Sequence, residues 1–442
     1  MSIKQRIFKN SIASVLDKIS KIAEQLLLIP FFIIHWGVTY YGDWLTLTIL
    51  PTFFALSNIG FGTATGNTFV LKYVSGDRRS AANTIKTGLR VMHLGIIAII
   101  ILSLIILQGL NYLGIFSKLE IPSFEAMWSV FFMILAAVVN FYLAIFECFY
   151  RVANKAHIGI LFMAILTFIK VGLGIFFLYW GAKALHYAIL IFFVTFFVNI
   201  FYILYSIKKL NFLEYKKSLY IKDEASYLFK KGFGYFLGPL WQAIYFQGTI
   251  FVIRIVLGSN SVVLFNTLRT FISTSSQGFW FVFTSIFPEF QRAIGERNFT
   301  KAKDLFNLIY WLNIFIAILA TLFFIFLGPL FYGWWTHQEI EVSMIIWILM
   351  ISKIIFNALW FSYSIIFQAK NLPFILNTSG LIVALISVFI TWVSVNIVGD
   401  VGAALGMLCF DLMMYLILKS RNNENLHISI KQLLKKLNFI RE

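Results

Sequence analysis

Twelve apolar runs alternate with short polar stretches along almost the whole chain, and each is long enough to cross a bilayer as a helix of about 20 residues. They occupy residues 12–36, 44–68, 88–109, 124–149, 157–180, 185–207, 233–257, 262–287, 305–328, 341–367, 374–396 and 402–418. Hydrocarbon offers no water to an exposed peptide group, so each run is predicted to be helical. Polar residues inside the runs recur at three- and four-residue spacing, which gathers them on one face of each helix. The pattern predicts an all-α polytopic membrane protein.

Composition agrees with the pattern. Of the 442 residues, 60% are hydrophobic and 12% charged, and the mean hydropathy is +0.85, where a soluble domain would carry roughly a quarter charged residues. A net charge of +17 would suggest nucleic acid in a soluble protein, but here the basic residues sit between apolar runs. They read as charge that sets topology and faces anionic lipid, and no nucleic-acid partner is expected. Cys148 and Cys409 both fall inside apolar runs, so neither a disulfide framework nor a metal spacing is expected. The first run carries Asp17, Lys18, Lys21 and Glu24, which no cleavable signal sequence would hold in its apolar core.

The basic residues also give an orientation. Of 36 lysines and arginines, only Lys118 and Lys183 fall in one set of alternate loops, and Lys18, Lys21, Lys170, Arg254, Arg269 and Lys353 lie within runs or at their ends. The rest occupy the termini and the other loops, with Arg90 at the loop end of the third run, which places both termini in the cytoplasm. The longest connection on that side, 208–231, is rich in lysine and apolar residues and reads as an interfacial segment on anionic headgroups. It separates two sets of six runs. The chain therefore divides into an N-terminal six-helix lobe (1–207), an inter-lobe connection (208–232), a C-terminal six-helix lobe (233–418) and a basic tail (419–442).

An internal echo supports the division. Gly76, Asp77 and Arg78, in the loop SGDRRSAANTIK, recur in the second half as Gly295, Glu296 and Arg297. RVANKAHIGILF likewise resembles QAKNLPFILNT, with Ala153 matching Ala369. Six runs is an even number, so the halves share one sense across the membrane and form parallel repeats.

Ionisable groups at membrane depth carry the candidate chemistry, because they face partners or cavities. Asp17, Lys21 and Glu24 share a face of the first run. Asp17 and Lys21 make an ordinary i,i+4 pair, whereas Glu24 lies roughly 18 Å in at about 1.5 Å per residue. Lys170 lies deep in the fifth run and Asp411 is central in the twelfth. Arg254 is near the outer end of the seventh run, on one face with Gln247. The eighth run aligns Asn266, Arg269, Ser273, Gln277 and Trp280, and the tenth aligns Lys353, Asn357, Trp360, Ser364 and Gln368. Each cation has a structural alternative, a pair with Glu24, Glu147 or Asp411. That alternative does not cover the set, since Lys170, Arg254, Arg269 and Lys353 outnumber Glu24 and Asp411. The excess suggests a cationic cavity that receives an anion, with arginine as a bidentate clamp for phosphate oxygens. Trp280 and Trp360 share helix faces with Arg269 and Lys353, an arrangement suited to a sugar beside a phosphate. No P-loop, His-Glu-x-x-His or Gly-x-Ser-x-Gly motif occurs, the six histidines are scattered, and no enzymatic activity, catalytic residue or metal is expected.

GDWLTLTILPTFFALSNIGFGTATGN followed by YVSGDRRSAANTIK resembles the O-antigen and polysaccharide repeat-unit flippases of the Wzx type, in the multidrug/oligosaccharidyl-lipid/polysaccharide exporter superfamily. The resemblance implies two six-helix bundles around a central cationic cavity. It also implies a substrate, undecaprenyl-pyrophosphate-linked oligosaccharide, carried across the bacterial inner membrane by alternating access. No site residue is carried over from it. On this reading Lys170, Arg254, Arg269 and Lys353 receive the pyrophosphate, Trp280, Trp360 and Asn357 face the glycan, and Glu24 and Asp411 couple transport to protons or sodium. No other cofactor is expected. Partners would be the lipid-linked oligosaccharide, membrane lipid and proteins of polysaccharide assembly. One rival is a drug/cation antiporter of the same superfamily, which would prefer acids and aromatics in its lumen. Another is a membrane-embedded glycan polymerase or ligase, which would need a sizeable outer loop that the spacing does not leave.

The orientation is testable by labelling. In a cysteine-free background, single cysteines at Lys118 and Lys183 should react with an impermeant maleimide from outside intact cells, and cysteines at Arg78 and Arg297 should not; outside labelling of Arg297 would overturn both the topology and the parallel repeat.

Overall fold

A computed structural model describes residues 3–56, 59–210, 213–296, 298–370 and 372–422. Asn58, Arg297 and most of the basic tail lie outside them. Among the described residues there are helices and no strands. In order they are α1 (Ile3–Leu47), α2 (Ile49–Leu56), α3 (Ile59–Val74), α4 (Arg78–Tyr112), α5 (Ser123–Val139), α6 (Phe141–Val152), α7 (Ala156–Tyr179), α8 (Ala184–Leu210), α9 (Lys222–Val256), α10 (Ser259–Ser273), α11 (Ser276–Gly295), α12 (Phe299–Phe326), α13 (Gly328–Trp335), α14 (Met344–Ala369), α15 (Pro373–Val398) and α16 (Asp400–Ser420). Single 3₁₀ turns lie at Phe116–Lys118 and Leu213–Lys217.

Among the described residues the apolar runs are found as helix, and ten stretches are long and apolar enough to cross a membrane, the first of them, Lys9–Val74, taking in two of the runs and the helices α1, α2 and α3. The eighth run is not among the ten, because it divides into α10 and α11. At the division the hydroxyls of Thr274 and Ser275 donate to the carbonyls of Phe271 and Ile272, at 2.7 and 2.8 Å. These hydroxyls compete with the helical ladder for the same carbonyls, so a polar run breaks where a purely apolar one would continue. The fourth run divides at Asn140, whose side-chain oxygen accepts from Asn199 Nδ2 on α8 at 2.9 Å. α13 is an added short helix before the tenth run, started by Pro329 in its first turn.

The chain forms two compact units, Met1–Ala243 and Ile244–Glu442, and the division falls inside α9. In the first unit α1 packs on α7, α5 on α8, and α3 on both α4 and α6. α1 bends at Gly37, whose φ of +74° is open to glycine and strained for other residues. The bend is pinned by Trp36 Nε1 donating to the Ala182 carbonyl at 2.8 Å and by the Ala184 amide donating to the Tyr40 hydroxyl at 3.2 Å. The small residues of α3 let its neighbours approach closely. A Cβ on Gly60 would run into the backbone carbonyl of Gly232, and one on Gly66 would lie 2.9 Å from the Ala144 carbonyl. In lipid, where the hydrophobic effect does not press helices together, such backbone approach is a main source of packing energy.

The second unit uses the same device. α16 packs on α14 and α15. Gly402 and Gly406 lie so close to α15 that Ser394 and Ser387 donate hydrogen bonds to their carbonyls, at 2.9 and 2.7 Å. The loops echoed in the two halves share one job. Asp77 caps α4 by accepting from the Ser80 amide at 3.0 Å, and Asn298 caps α12 by accepting from the Lys301 amide at 3.0 Å. The cap of the second loop is thus Asn298 rather than Glu296, the residue matched to Asp77 by sequence.

Gly60→Ala should destabilise the protein by about 1–3 kcal/mol, because the new methyl meets rigid backbone. Gly95→Ala on α4, where nothing lies within 4 Å of the added carbon, should not. Thermal unfolding of the two variants in detergent is the measurement; equal midpoints would show that the α3–α9 approach is not tight.

Candidate functional site

Polar groups from five helices converge in the second unit. Asp411 on α16 is at their centre, with a side chain only 2% exposed. Its Oδ1 accepts from Trp360 Nε1 at 2.6 Å and from Asn357 Nδ2 at 2.9 Å, both on α14. Its Oδ2 faces the Lys353 ammonium at 3.6 Å, and the Lys353 side chain is 10% exposed. Asn357 extends the network to α11 by accepting from the Ser276 hydroxyl at 3.2 Å. Tyr245 on α9 stacks on Phe410 with ring centroids 3.9 Å apart, and it is an electrostatic neighbour of both Asp411 and Arg269. Arg269 on α10 donates to Asn266 Oδ1 at 2.6 Å, and its guanidinium lies over the Phe246 ring at 4.8 Å.

Helix periodicity explains why α14 contributes three members. Lys353, Asn357 and Trp360 stand at i, i+4 and i+7, a single stripe that α16 covers with Asp411. A cluster of this kind can hold a charge in a low-dielectric setting and can change its pairing when one group gains or loses a proton.

The first unit also brings two ionisable groups near each other: Glu24 on α1 and Lys170 on α7 are electrostatic neighbours across the α1–α7 packing, with no direct salt bridge between them among the described residues. Asp17 and Lys21 form the expected i,i+4 pair at 2.7 Å on the exposed part of α1.

The structure therefore joins Lys353, Asn357, Trp360 and Asp411 in one network and sets Lys170 against Glu24. The remaining members of the proposed set stand elsewhere. Arg254 donates to the Ser259 hydroxyl across the turn at Gly258, between α9 and α10. Trp280 is 44% exposed, and its ring contacts Phe283 and Phe361, with centroids 5.2 and 5.5 Å away. The break between α10 and α11 interrupts the face that would have carried Arg269 and Trp280 together. Tyr245 and Ser276 were not singled out by sequence. Tyr245 is one of 19 tyrosines in an aromatic-rich chain, and only the approach of α9 to α16 marks it.

No protein-family model matches the chain, and no curated protein sequence does either. Solved structures do. The chain is similar to an inward-facing multidrug resistance MATE family transporter of the MOP superfamily, at a TM-score of 0.74 and 15% identity over 90% of this chain and 94% of that one. It is similar to the lipid II flippase MurJ in an inward closed conformation, at a TM-score of 0.71 and 17% identity over 96% of this chain and 89% of that one. It is also similar to a mutant form of the Vibrio cholerae MATE transporter VcmN, at a TM-score of 0.64 and 16% identity over 96% of this chain and 98% of that one. The chain is an all-α polytopic membrane protein with the fold of MOP superfamily transporters.

Asp411→Asn should cost about 3–5 kcal/mol, because it leaves the Lys353 ammonium buried without its counter-charge. The paired change Lys353→Met with Asp411→Leu should recover most of that loss. Unfolding midpoints of the purified variants measure both, and an Asp411→Asn variant as stable as the parent would show that the pair is not energetically coupled.

Proposed function

We propose that the protein is a flippase of the Wzx type, which moves undecaprenyl-pyrophosphate-linked oligosaccharide across the bacterial inner membrane by alternating access, with both termini in the cytoplasm. The observation that carries this reading is the charge at membrane depth: Lys170, Arg254, Arg269 and Lys353 against Glu24 and Asp411. Solvating an anion is the work such an excess does well. A pyrophosphate brings about two negative charges, and each charge-assisted contact to it is worth roughly 1.5–3 kcal/mol. A lipid II flippase shares the fold over 96% of this chain, which supports a lipid-linked substrate. In the second unit, Arg269 and Lys353 are the groups we assign to the pyrophosphate. Asn357, Trp360 and the exposed Trp280 are assigned to the sugars. Proteins of polysaccharide assembly are the partners this role would bring.

Coupling is assigned to Glu24 and Asp411. At Asp411 the proton suits the surroundings better than sodium, because a metal cation would sit beside the Lys353 ammonium and meet like charge. Protonation of Asp411 would remove the counter-charge of Lys353 and leave that ammonium available to an anion.

A drug/cation antiporter is the second reading. It is favoured by the carboxylate near each deep lysine, Asp411 paired with Lys353 and Glu24 neighbouring Lys170, and by the MATE transporters that share the fold.

Binding separates the two. Purified protein in nanodiscs should bind undecaprenyl-pyrophosphate-linked glycan, Arg269→Ala should weaken that binding about ten- to a hundredfold, and Arg269→Lys should restore part of it, since charge survives and the bidentate fork does not. Unchanged affinity after Lys170, Arg254, Arg269 and Lys353 are all replaced by glutamine would overturn the anion site. Proton-driven export of a lipophilic cation by the wild-type protein would favour the antiporter.

A further inference from the structure

We infer that the segment from Tyr215 to Gly232 is a strap, latched onto α3 and α4 by Lys72, Thr84 and Glu224, and that this latch keeps the first half of α9 fastened to the N-terminal unit during transport. The sequence alone suggests a connection resting on lipid headgroups. The structure instead ties it down side chain by side chain. Lys72 Nζ on α3 donates to both oxygens of Glu224, in the first turn of α9, at 2.7 and 2.8 Å. The two side chains are 27% and 14% exposed. Lys72 also donates to Thr84 Oγ1 at 3.0 Å, and that hydroxyl lies 2.8 Å from Glu224 Oε1.

The strap's backbone is held by the same face of α4. The Leu219 amide donates to Asn83 Oδ1 at 2.8 Å, and the Ile221 amide donates to Thr87 Oγ1 at 3.0 Å. Arg90 lies over the Tyr220 ring at 5.0 Å and Lys86 over the Tyr215 ring at 5.7 Å. Positions 83, 84, 86, 87 and 90 thus all serve one segment. Apolar contact completes the seat: Leu228 is fully buried and packs with Phe61 and Ala64, beside the close approach of Gly60 and Gly232.

A plain linker needs none of this, because water satisfies exposed loop amides. A half-buried bidentate ion pair is stronger than an exposed one, and it is directional. α9 runs unbroken from Lys222 to Val256, beginning in the first unit and ending in the second. Fastening its first turn therefore fixes the rotation and axial position with which the helix leaves the first unit. A loosened strap would let α9 slip and uncouple any motion passed along it.

The experiment is hydrogen–deuterium exchange on the full-length protein in nanodiscs, with Glu224→Gln, Lys72→Met and the reversed pair Lys72→Glu with Glu224→Lys. Each single change should speed amide exchange across 218–224 by about tenfold or more, since the protection there comes from local rather than global opening. The reversed pair should restore protection, as contacting partners do in a double-mutant cycle. Thr84→Val removes one hydroxyl with little change of shape and should act in the same direction, which covers a single change that fails to fold. Glycan export in cells should fall with the singles at normal abundance and return with the reversed pair; this arm rests on the flippase reading, whereas exchange is read without substrate. Unchanged exchange in the singles, or no recovery in the reversed pair, would overturn the latch. Faster exchange with undiminished export would overturn its role in transport and leave the strap an element of the fold alone.

Discussion

Hydrocarbon donates and accepts no hydrogen bonds, so every peptide group and every charge at membrane depth must find its partner within the protein. Helices satisfy the backbone along their length. Breaks in helices and ionisable side chains need other partners, and these are the features that give the chain its individuality. The interruption between α10 and α11 is tolerable because Thr274 and Ser275 bond to carbonyls of the preceding turn. That between α5 and α6 is bridged from α8 by Asn199. The buried carboxylate of Asp411 collects the indole of Trp360, the amide of Asn357 and the ammonium of Lys353.

Close packing follows from the same scarcity. Lipid chains are as apolar as leucine, so helices gain little by hiding apolar surface from them, and van der Waals contact between backbones carries more of the load. α3 and α16 show it best. Both bring a neighbour to within backbone distance at glycines, and at α16 serines of α15 turn that approach into hydrogen bonds. A side chain at these positions would separate the helices and lose contacts along several turns.

The ion pair of Asp411 with Lys353, and the nearness of Glu24 to Lys170, alter the simple picture of a positively charged lumen. Lys353 faces a carboxylate on another helix at 3.6 Å. Under the flippase reading, a cation so placed becomes available to an anion when its partner is neutralised. On that reading the exchange links the coupling ion to the substrate through one side chain, and it assigns Asp411 and Lys353 two halves of a single event.

The sequence by itself determined the class of protein. Runs of about 20 apolar residues leave helix as the only spanning form. It also determined which residues were out of place in lipid, including every charged member of the second-unit cluster, because a charge inside an apolar run is visible without coordinates. Pairing was decided only by the tertiary structure. Lys353 and Asp411 lie 58 positions apart, and nothing in their spacing distinguishes a cavity cation from an ion pair. Tyr245 and Ser276 carry no charge and vanish among similar residues until α9 and α11 reach α14 and α16. The strap was illegible for the same reason: lysines and apolar residues between two spans suit a membrane surface as well as a neighbouring helix. Only the approach of Asn83, Thr84 and Thr87 to this segment decides between them, since periodicity sets the face of a helix and packing sets what that face meets.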